Sequence, residues 1–335
     1  IKKEQGQSEE AIELLLKVLD LNPQHSDAKA YAETLCNELG IKLHKEGDNE
    51  SALKYFKILT LLRPKSAACF YNTGNTYLEL KDFKNAETYF KSALYIEPNY
   101  EMAHSNLGDL YRTLGKFKKS RKCYKEAIRI NPQNANNYYN LAISSSEAGK
   151  IDNAEKGYKK AIQVDPKHVG SYNNLALLHE AKGQTKEALN IAKKVLTFEN
   201  NHSTTNYSIG LLSLLLGNFK EGWKYFEYRW KVSPFNKTKW PFKDTPIWKG
   251  ERRKRVVLWK EQGIGDQIIF LSLVPEVKEM CNTLSVYVDP RLQALCKRAM
   301  PDINFVKDIE ELQNVECEYH LPLGSVPGLI RNDIS

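Results

Sequence analysis

The sequence predicts a mainly helical chain in two parts: stacked helical hairpins, then a short α/β segment built on a parallel sheet. Three observations predict it. Pro64, Pro98, Pro132 and Pro166 recur every 34 residues. Small, aromatic and turn residues recur at the same period. From residue 256 that period gives way to short apolar runs alternating with helical stretches. We read residues 1–234 as about six full repeats and a partial first one, 235–255 as a linker, and 256–335 as the α/β segment.

Each repeat follows from its spacing. One series of small residues is Gly74, Gly108, Ala142, Ala176 and Gly210; a second is Ala52, Ala86, Ser120, Ala154 and Ala188. They mark where two antiparallel helices cross closely. Phe56, Phe90, Tyr124 and Tyr158 supply the aromatics that fill the gap to the next unit. Gly47, Lys81, Gly115, Gly149, Gly183 and Gly217 turn the chain between helices, and the prolines break it before the next hairpin. One hairpin cannot bury its apolar face alone, so the hairpins stack. Gly6, Ala11 and Pro23 fit the second half of a repeat. From Pro23 to Pro64 the step is 41 residues, which predicts a longer first helix over about Asp27–Lys45.

This pattern resembles the tetratricopeptide repeat, whose signature is carried by Phe70, Gly74, Tyr77, Ala86, Phe90 and Pro98. The resemblance implies a superhelix whose inner surface is lined by the first helix of each unit. Asn72, Asn106, Asn140 and Asn174 share one phase there. A side-chain amide both donates and accepts, so such a ladder suits the backbone of an extended peptide. It is similar to the asparagine ladder of the O-GlcNAc transferases, which holds acceptor proteins. The alternative is structural, with each amide bonding the adjacent helix. The other inner positions, Tyr71, Asn75, Asp109, Arg112, Tyr139, Asn173 and Glu180, suit a protein or peptide partner and contain no catalytic constellation.

Composition narrows the classes. The net charge is +8, but from Phe235 onward fifteen Lys or Arg stand against fourteen Asp or Glu. The excess is therefore scattered over the repeats, a distribution that argues against a nucleic-acid partner. The six cysteines show neither CxxC pairs nor zinc-like spacing, so no metal is expected and a reducing, cytoplasmic setting is. The longest apolar run, residues 208–217, is too short to span a bilayer. The chain opens on Ile1 with half a repeat, which suggests a piece cut from something longer.

Residues 217–231, GNFKEGWKYFEYRWK, place five aromatics in eight positions. A helix so apolar is expected to dock on the next domain and cap the repeats. Pro234, Pro241 and Pro246 then make an extended linker, and the basic run KGERRKR is expected to solvate a strand entry. VVLWK, LSVYVD, INFV and CEYHLPL read as four strands, with helices between them and SVPGLI beginning another. Alternation of this kind implies a parallel sheet covered on both faces.

The loop EQGIGD, 261–266, follows the first strand, at the edge where ligands of such sheets bind. As a dinucleotide fingerprint it fails twice. Ile268 stands where a third glycine is needed, and Asp266 brings negative charge to the pyrophosphate position. A structural role is also open, with Asp266 capping the helix while Gly263 and Gly265 permit the turn.

GWKYFEYRW, then VVLWKEQGIGDQIIF, then YHLPLGSVP, following such repeats, resembles a bacterial family. Its members join tetratricopeptide repeats to a glycosyltransferase-like module related to the heptosyltransferases, of GT-B architecture. The resemblance implies a Rossmann-like N-terminal domain, here incomplete, with the nucleotide-sugar domain outside the chain. It implies Asp266 as the base, Gly263 and Gly265 as points of backbone approach, and a nucleotide sugar as donor substrate, with no cofactor or metal. Glu261 and Gln262 are expected to orient a hydroxyl. His320 reads as a buried structural histidine. Two classes stay open: repeats that recruit a protein for glycosylation, and a non-catalytic interaction scaffold.

Overall fold

The computed structural model describes residues 2–242 and 244–331, with side chains from residue 7 onward; Ile1 lies outside them, as does any side chain before Gln7. The chain divides into two compact units, Ile1–Ser171 and Tyr172–Ser335.

In the first unit α1 (Lys2–Leu21) precedes four hairpins. These are α2 (Ser26–Glu46) with α3 (Asn49–Leu62), α4 (Ala67–Glu79) with α5 (Phe83–Ile96), α6 (Glu101–Thr113) with α7 (Phe117–Ile130), and α8 (Ala135–Glu147) with α9 (Ile151–Val164). The extra residues before Pro64 lengthen α2 to 21 residues, against 13 for α4. Asp48 and Asp82 start α3 and α5, each accepting from the backbone N–H three residues on at 3.1 Å.

The periodic positions behave as their chemistry requires. A Cβ added at Gly74 would lie 2.8 Å from the Phe90 ring, and one at Gly108 would lie 2.8 Å from Tyr124. Each ring thus rests on the glycine of its own hairpin. Phe90 then continues into a cluster with Leu107, Leu110 and Tyr111 of the next. The second small series, Ala52, Ala86, Ser120 and Ala154, is wholly buried. Between helices the backbone turns left-handed, at φ 67° for Gly115 and 59° for Lys81, where only the lysine carries a Cβ.

α10 (Val169–Ala181) leads into the second unit, followed by α11 (Thr185–Val195), α12 (Ser203–Leu215) and α13 (Phe219–Phe226). The aromatic stretch is not one helix: α13 stops at Phe226, and residues Glu227–Lys231 tighten into a 3₁₀ turn. The break turns Trp223 and Trp230 onto different surfaces. Trp223 packs on one apolar cluster of the sheet, and Trp230 packs on the other.

The sheet contains β1 (Arg255–Trp259), β2 (Thr283–Tyr287), β3 (Asn304–Val306) and β4 (Tyr319–Pro322), all parallel, in the order β3-β2-β1-β4. α14 (Ile264–Leu271) and α15 (Val274–Met280) connect β1 to β2, α16 (Pro290–Ala299) connects β2 to β3, and α17 (Ile309–Gln313) connects β3 to β4. α18 (Val326–Ile330) follows β4. The pleat sends Val256 and Leu258 into one core with Phe270, Val274 and Leu292, while Val257 and Trp259 enter another with Leu312. Both faces are covered, as a parallel sheet requires.

The residues read as an extended linker are packed instead. Trp248 is 1% exposed, and its backbone N–H donates to the His320 carbonyl at 2.9 Å beside an Ile247–His320 bridge. The prolines keep this segment extended, and its aromatics bury it against β4. The basic run is exposed at Lys249, Arg252 and Arg253, and its last two members are paired: Lys254 meets Glu318 at 2.9 Å and Arg255 meets Glu316 at 2.7 Å.

Candidate functional site

β1 ends at Trp259, and the chain passes through Lys260, Glu261 and Gln262 into α14. This is the carboxyl edge of the sheet, next to the point where β2 and β4 diverge on either side of β1. Open parallel sheets bind ligands at such a crevice. A cavity of about 590 Å³ lies there. Glu261, Gln262, Gly263 and Asp266 line it from the loop, while Tyr207, Leu211 and Phe226 line it from the last hairpin and its aromatic end. Its size and its mix of apolar wall and few polar groups suit a small ligand or one inserted side chain.

Asp266 is exposed on the first turn of α14 and faces the cavity. It does not cap the helix: Gly263 occupies the N-cap, and no side chain caps there. Nor does Gly263 need left-handed backbone, at φ −61°. Open space surrounds the position a Cβ would take at Gly265, and the nearest atom to one at Gly263 is an Asp266 oxygen 3.6 Å away. Both glycines keep the approach to Asp266 unobstructed.

Glu261 sits differently. Its side chain is 1% exposed, and Arg229, wholly buried, donates through one Nη to its two oxygens at 2.9 and 3.2 Å. Arg229 also reaches Ser325 Oγ at 2.7 Å and Glu227 at 2.7 Å, with its guanidinium over the rings of Phe226 and Trp230. Burial pushes the Glu261 carboxyl up to about 7, against the pull of the Arg229 charge. Glu261 therefore builds the cavity wall, and its oxygens are held by Arg229 rather than turned to a ligand.

Gln267 is the buried residue that sequence reasoning passed over. Its amide donates to the Gln262 carbonyl at 2.7 Å and accepts from the Asp289 N–H at 2.8 Å. It thus fixes the loop after β1 to the chain leaving β2. It stands between Asp266 and the apolar run IIFLSLV, where no local pattern marks it as buried. Arg229 was also missed; an arginine between Tyr228 and Trp230 was the available signal. His320 is buried as expected, and its Nδ1 accepts from Trp259 Nε1 at 3.0 Å.

The repeats form the other candidate surface. Asn72, Asn106, Asn140 and Asn174 are all half-buried, on α4, α6, α8 and α10. Asn106 donates to Tyr71 Oη at 3.0 Å and to Asn75 Oδ1 at 2.7 Å, so this rung ties α6 to α4. Asn72 and Asn140 form no side-chain hydrogen bond among the described residues. Arg112 bonds Glu147 at 3.0 Å, and Tyr124 donates to Asp109 at 2.6 Å. Burial raises the Asp109 carboxyl, and the Tyr124 hydroxyl and Arg112 pull it down again. The first helices in the first unit are therefore laced together by polar side chains. Among the described residues no group of His, Cys, Asp and Glu is placed to hold a metal, and no helix is long and apolar enough to cross a membrane.

Hairpins of this period and geometry, with a small parallel α/β sheet after them, define a helical-repeat protein. The repeats are tetratricopeptide repeats: models of that repeat match residues 1–25, 67–100, 108–144, 135–168 and 158–190. The chain is 30% identical over 95 residues to protein FlbA of Caulobacter vibrioides, covering 27% of this chain and 16% of that protein's length. PilF of Pseudomonas aeruginosa superposes with a TM-score of 0.54 at 14% identity, over 62% of this chain and 97% of the other. PilW, a type IV pilus biogenesis factor, superposes at 0.52 with 20% identity, over 61% and 94%. At such identities these likenesses concern the fold alone.

Proposed function

We propose that the repeats hold a protein partner in extended form and that the following α/β segment belongs to a glycosyltransferase-like module acting on a hydroxyl. The observation that carries this reading is the cavity at the carboxyl edge of β1. The loop bearing Asp266 and the end of the repeat array line it together. The order β3-β2-β1-β4 supports it further, because doubly wound, Rossmann-like sheets share that order, with their switch point beside the first strand.

On this reading the Asp266 carboxylate takes the proton of the acceptor hydroxyl as the oxygen bonds the anomeric carbon of a nucleotide sugar. The carbon–phosphate oxygen bond breaks, and the nucleotide diphosphate leaves. Glu261 is a positioning residue that shapes the wall through Arg229. Asn72 and Asn140 offer free amides to a peptide backbone, whereas Asn106 is a structural rung.

A second reading, a non-catalytic interaction scaffold, is favoured by the commitment of Glu261 to Arg229, which leaves Asp266 as the one cavity carboxylate turned outward. Incubating the protein translated from its whole reading frame with a panel of nucleotide sugars decides between them. Release of nucleotide diphosphate supports the transferase reading; no release with any donor supports the scaffold.

A further inference from the structure

We propose that the face formed by α7, α8 and α9 is a docking groove for an acidic polypeptide segment that carries apolar side chains. The groove has a volume of about 610 Å³ and lies within the first unit. α7 brings Lys118, Arg121, Lys122 and Lys125 to it; the turn before α9 and α9 itself bring Lys150, Lys156 and Lys160. No carboxylate lines it, and none of these seven cations forms an ion pair among the described residues. The nearby acids are spent elsewhere, Glu126 on Arg129 at 2.9 Å and Glu155 in part on Lys159 at 2.7 Å. One Arg121 guanidinium nitrogen is buried with no hydrogen-bond partner.

The repeat period explains why the groove exists here. Two repeats earlier, Tyr89 fills the equivalent space, its ring 6.1 Å from Phe70 and 5.2 Å from Tyr77. The same three phases in this hairpin are Gly157, Tyr138 and Ser145. Gly157 lets α9 close on α8, since a Cβ there would meet Ala142 Cβ at 2.8 Å, and it leaves Tyr138 uncovered. Charge changes as well: Arg121 stands at the phase held by Glu87 and Glu155. The result is a cationic rim over a floor of Tyr138 and Leu141.

That combination selects among anions. A nucleic acid strand needs a run of stacking faces along a basic track, and a single ring lines this groove. An acidic peptide matches it better, with carboxylates on the rim cations and an apolar side chain on the floor. The rim cations belong to the second helices of the hairpins and the turn before α9, and none of Asn72, Asn106, Asn140 and Asn174 lines the groove, so the proposal does not rest on the transferase reading.

The test is fluorescence anisotropy with the full chain and a labelled Glu-rich peptide carrying two leucines. Expected are salt-sensitive binding, weakening of about tenfold or more for Lys122→Glu/Lys156→Glu, and a further loss when both leucines become serine. The control Lys29→Glu/Lys57→Glu, exposed on α2 and α3, is expected to change affinity less than about twofold. Circular dichroism checks that both variants fold. Absence of binding, equal loss in both variants, or tighter binding of an oligothymidylate of equal charge would each overturn the proposal.

Discussion

Arg229 and Glu261 form an ion pair in which neither side chain meets solvent, with the two carboxylate oxygens 2.9 and 3.2 Å from one guanidinium nitrogen. The pair joins the aromatic end of the last hairpin to the loop that leaves β1. A buried pair contributes little net stability against an apolar replacement, yet breaking one half of it is costly. Arg229→Met is therefore expected to lose about 3–5 kcal/mol at pH 8, where Glu261 must either stay ionised without its partner or take up a proton. At pH 5 the loss should be smaller, because the carboxyl, already raised to about 7, is protonated. Urea unfolding at the two pH values measures the difference.

The wild-type protein carries its own pH signature. A carboxyl whose pKa rises on folding contributes stability that is full below its unfolded value, near 4.5, and fades as pH climbs through its folded value, about 7. The stability of the wild type relative to Glu261→Gln should fall across that window. A flat difference would show that Glu261 remains ionised throughout.

Gly324 is placed by the same carboxylate: a Cβ there would clash with Glu261 Oε1. Gly324→Ala is expected to cost about 1–3 kcal/mol by overpacking. Thermal unfolding of Gly324→Ala in the Glu261→Ala background should recover most of that cost, since the clashing oxygen is gone.

Lys81 is the non-glycine member of the turn series and sits at φ 59°. Its Cβ crowds the following carbonyl, a cost of about 1 kcal/mol that glycine avoids. Lys81→Gly should stabilise the protein by roughly that amount in a denaturant titration. Gly115→Ala, at φ 67°, should shift stability the other way.

The free rungs of the ladder bear on partner binding. Asn72→Ala/Asn140→Ala should weaken an extended peptide bound on the first helices by about 0.5–1.5 kcal/mol per lost bond. Asn106→Ala should instead lower stability, since its bonds go to Tyr71 and Asn75. Calorimetric titration and thermal melts separate the two effects.

Much of this fold is legible in the sequence because a repeated unit states its rules several times. The left-handed turns, the close glycine–aromatic contacts and the long α2 all follow from spacing. So does the parallel sheet, whose strands are short apolar runs. The segment 240–248 was harder to read: prolines and tryptophans suggest a linker until Trp248 is seen bonded to His320. The site was half legible. Gly263, Gly265 and Asp266 announce a loop, but nothing local tells that Glu261 faces Arg229, 32 residues earlier in the chain. Long-range pairs of single charges leave no periodic trace, and Gln267, beside Asp266 at the start of the apolar run, reads as one more solvated polar residue of the loop.

The most direct measurement is nucleotide diphosphate release from a nucleotide sugar by the protein from its whole reading frame, compared with its Asp266→Asn form. If the exposed carboxylate beside β1 takes the acceptor proton, the variant should be slower by about 10²-fold or more with its fold intact. Equal rates in the two forms would remove Asp266 from the chemistry and contradict the transferase reading.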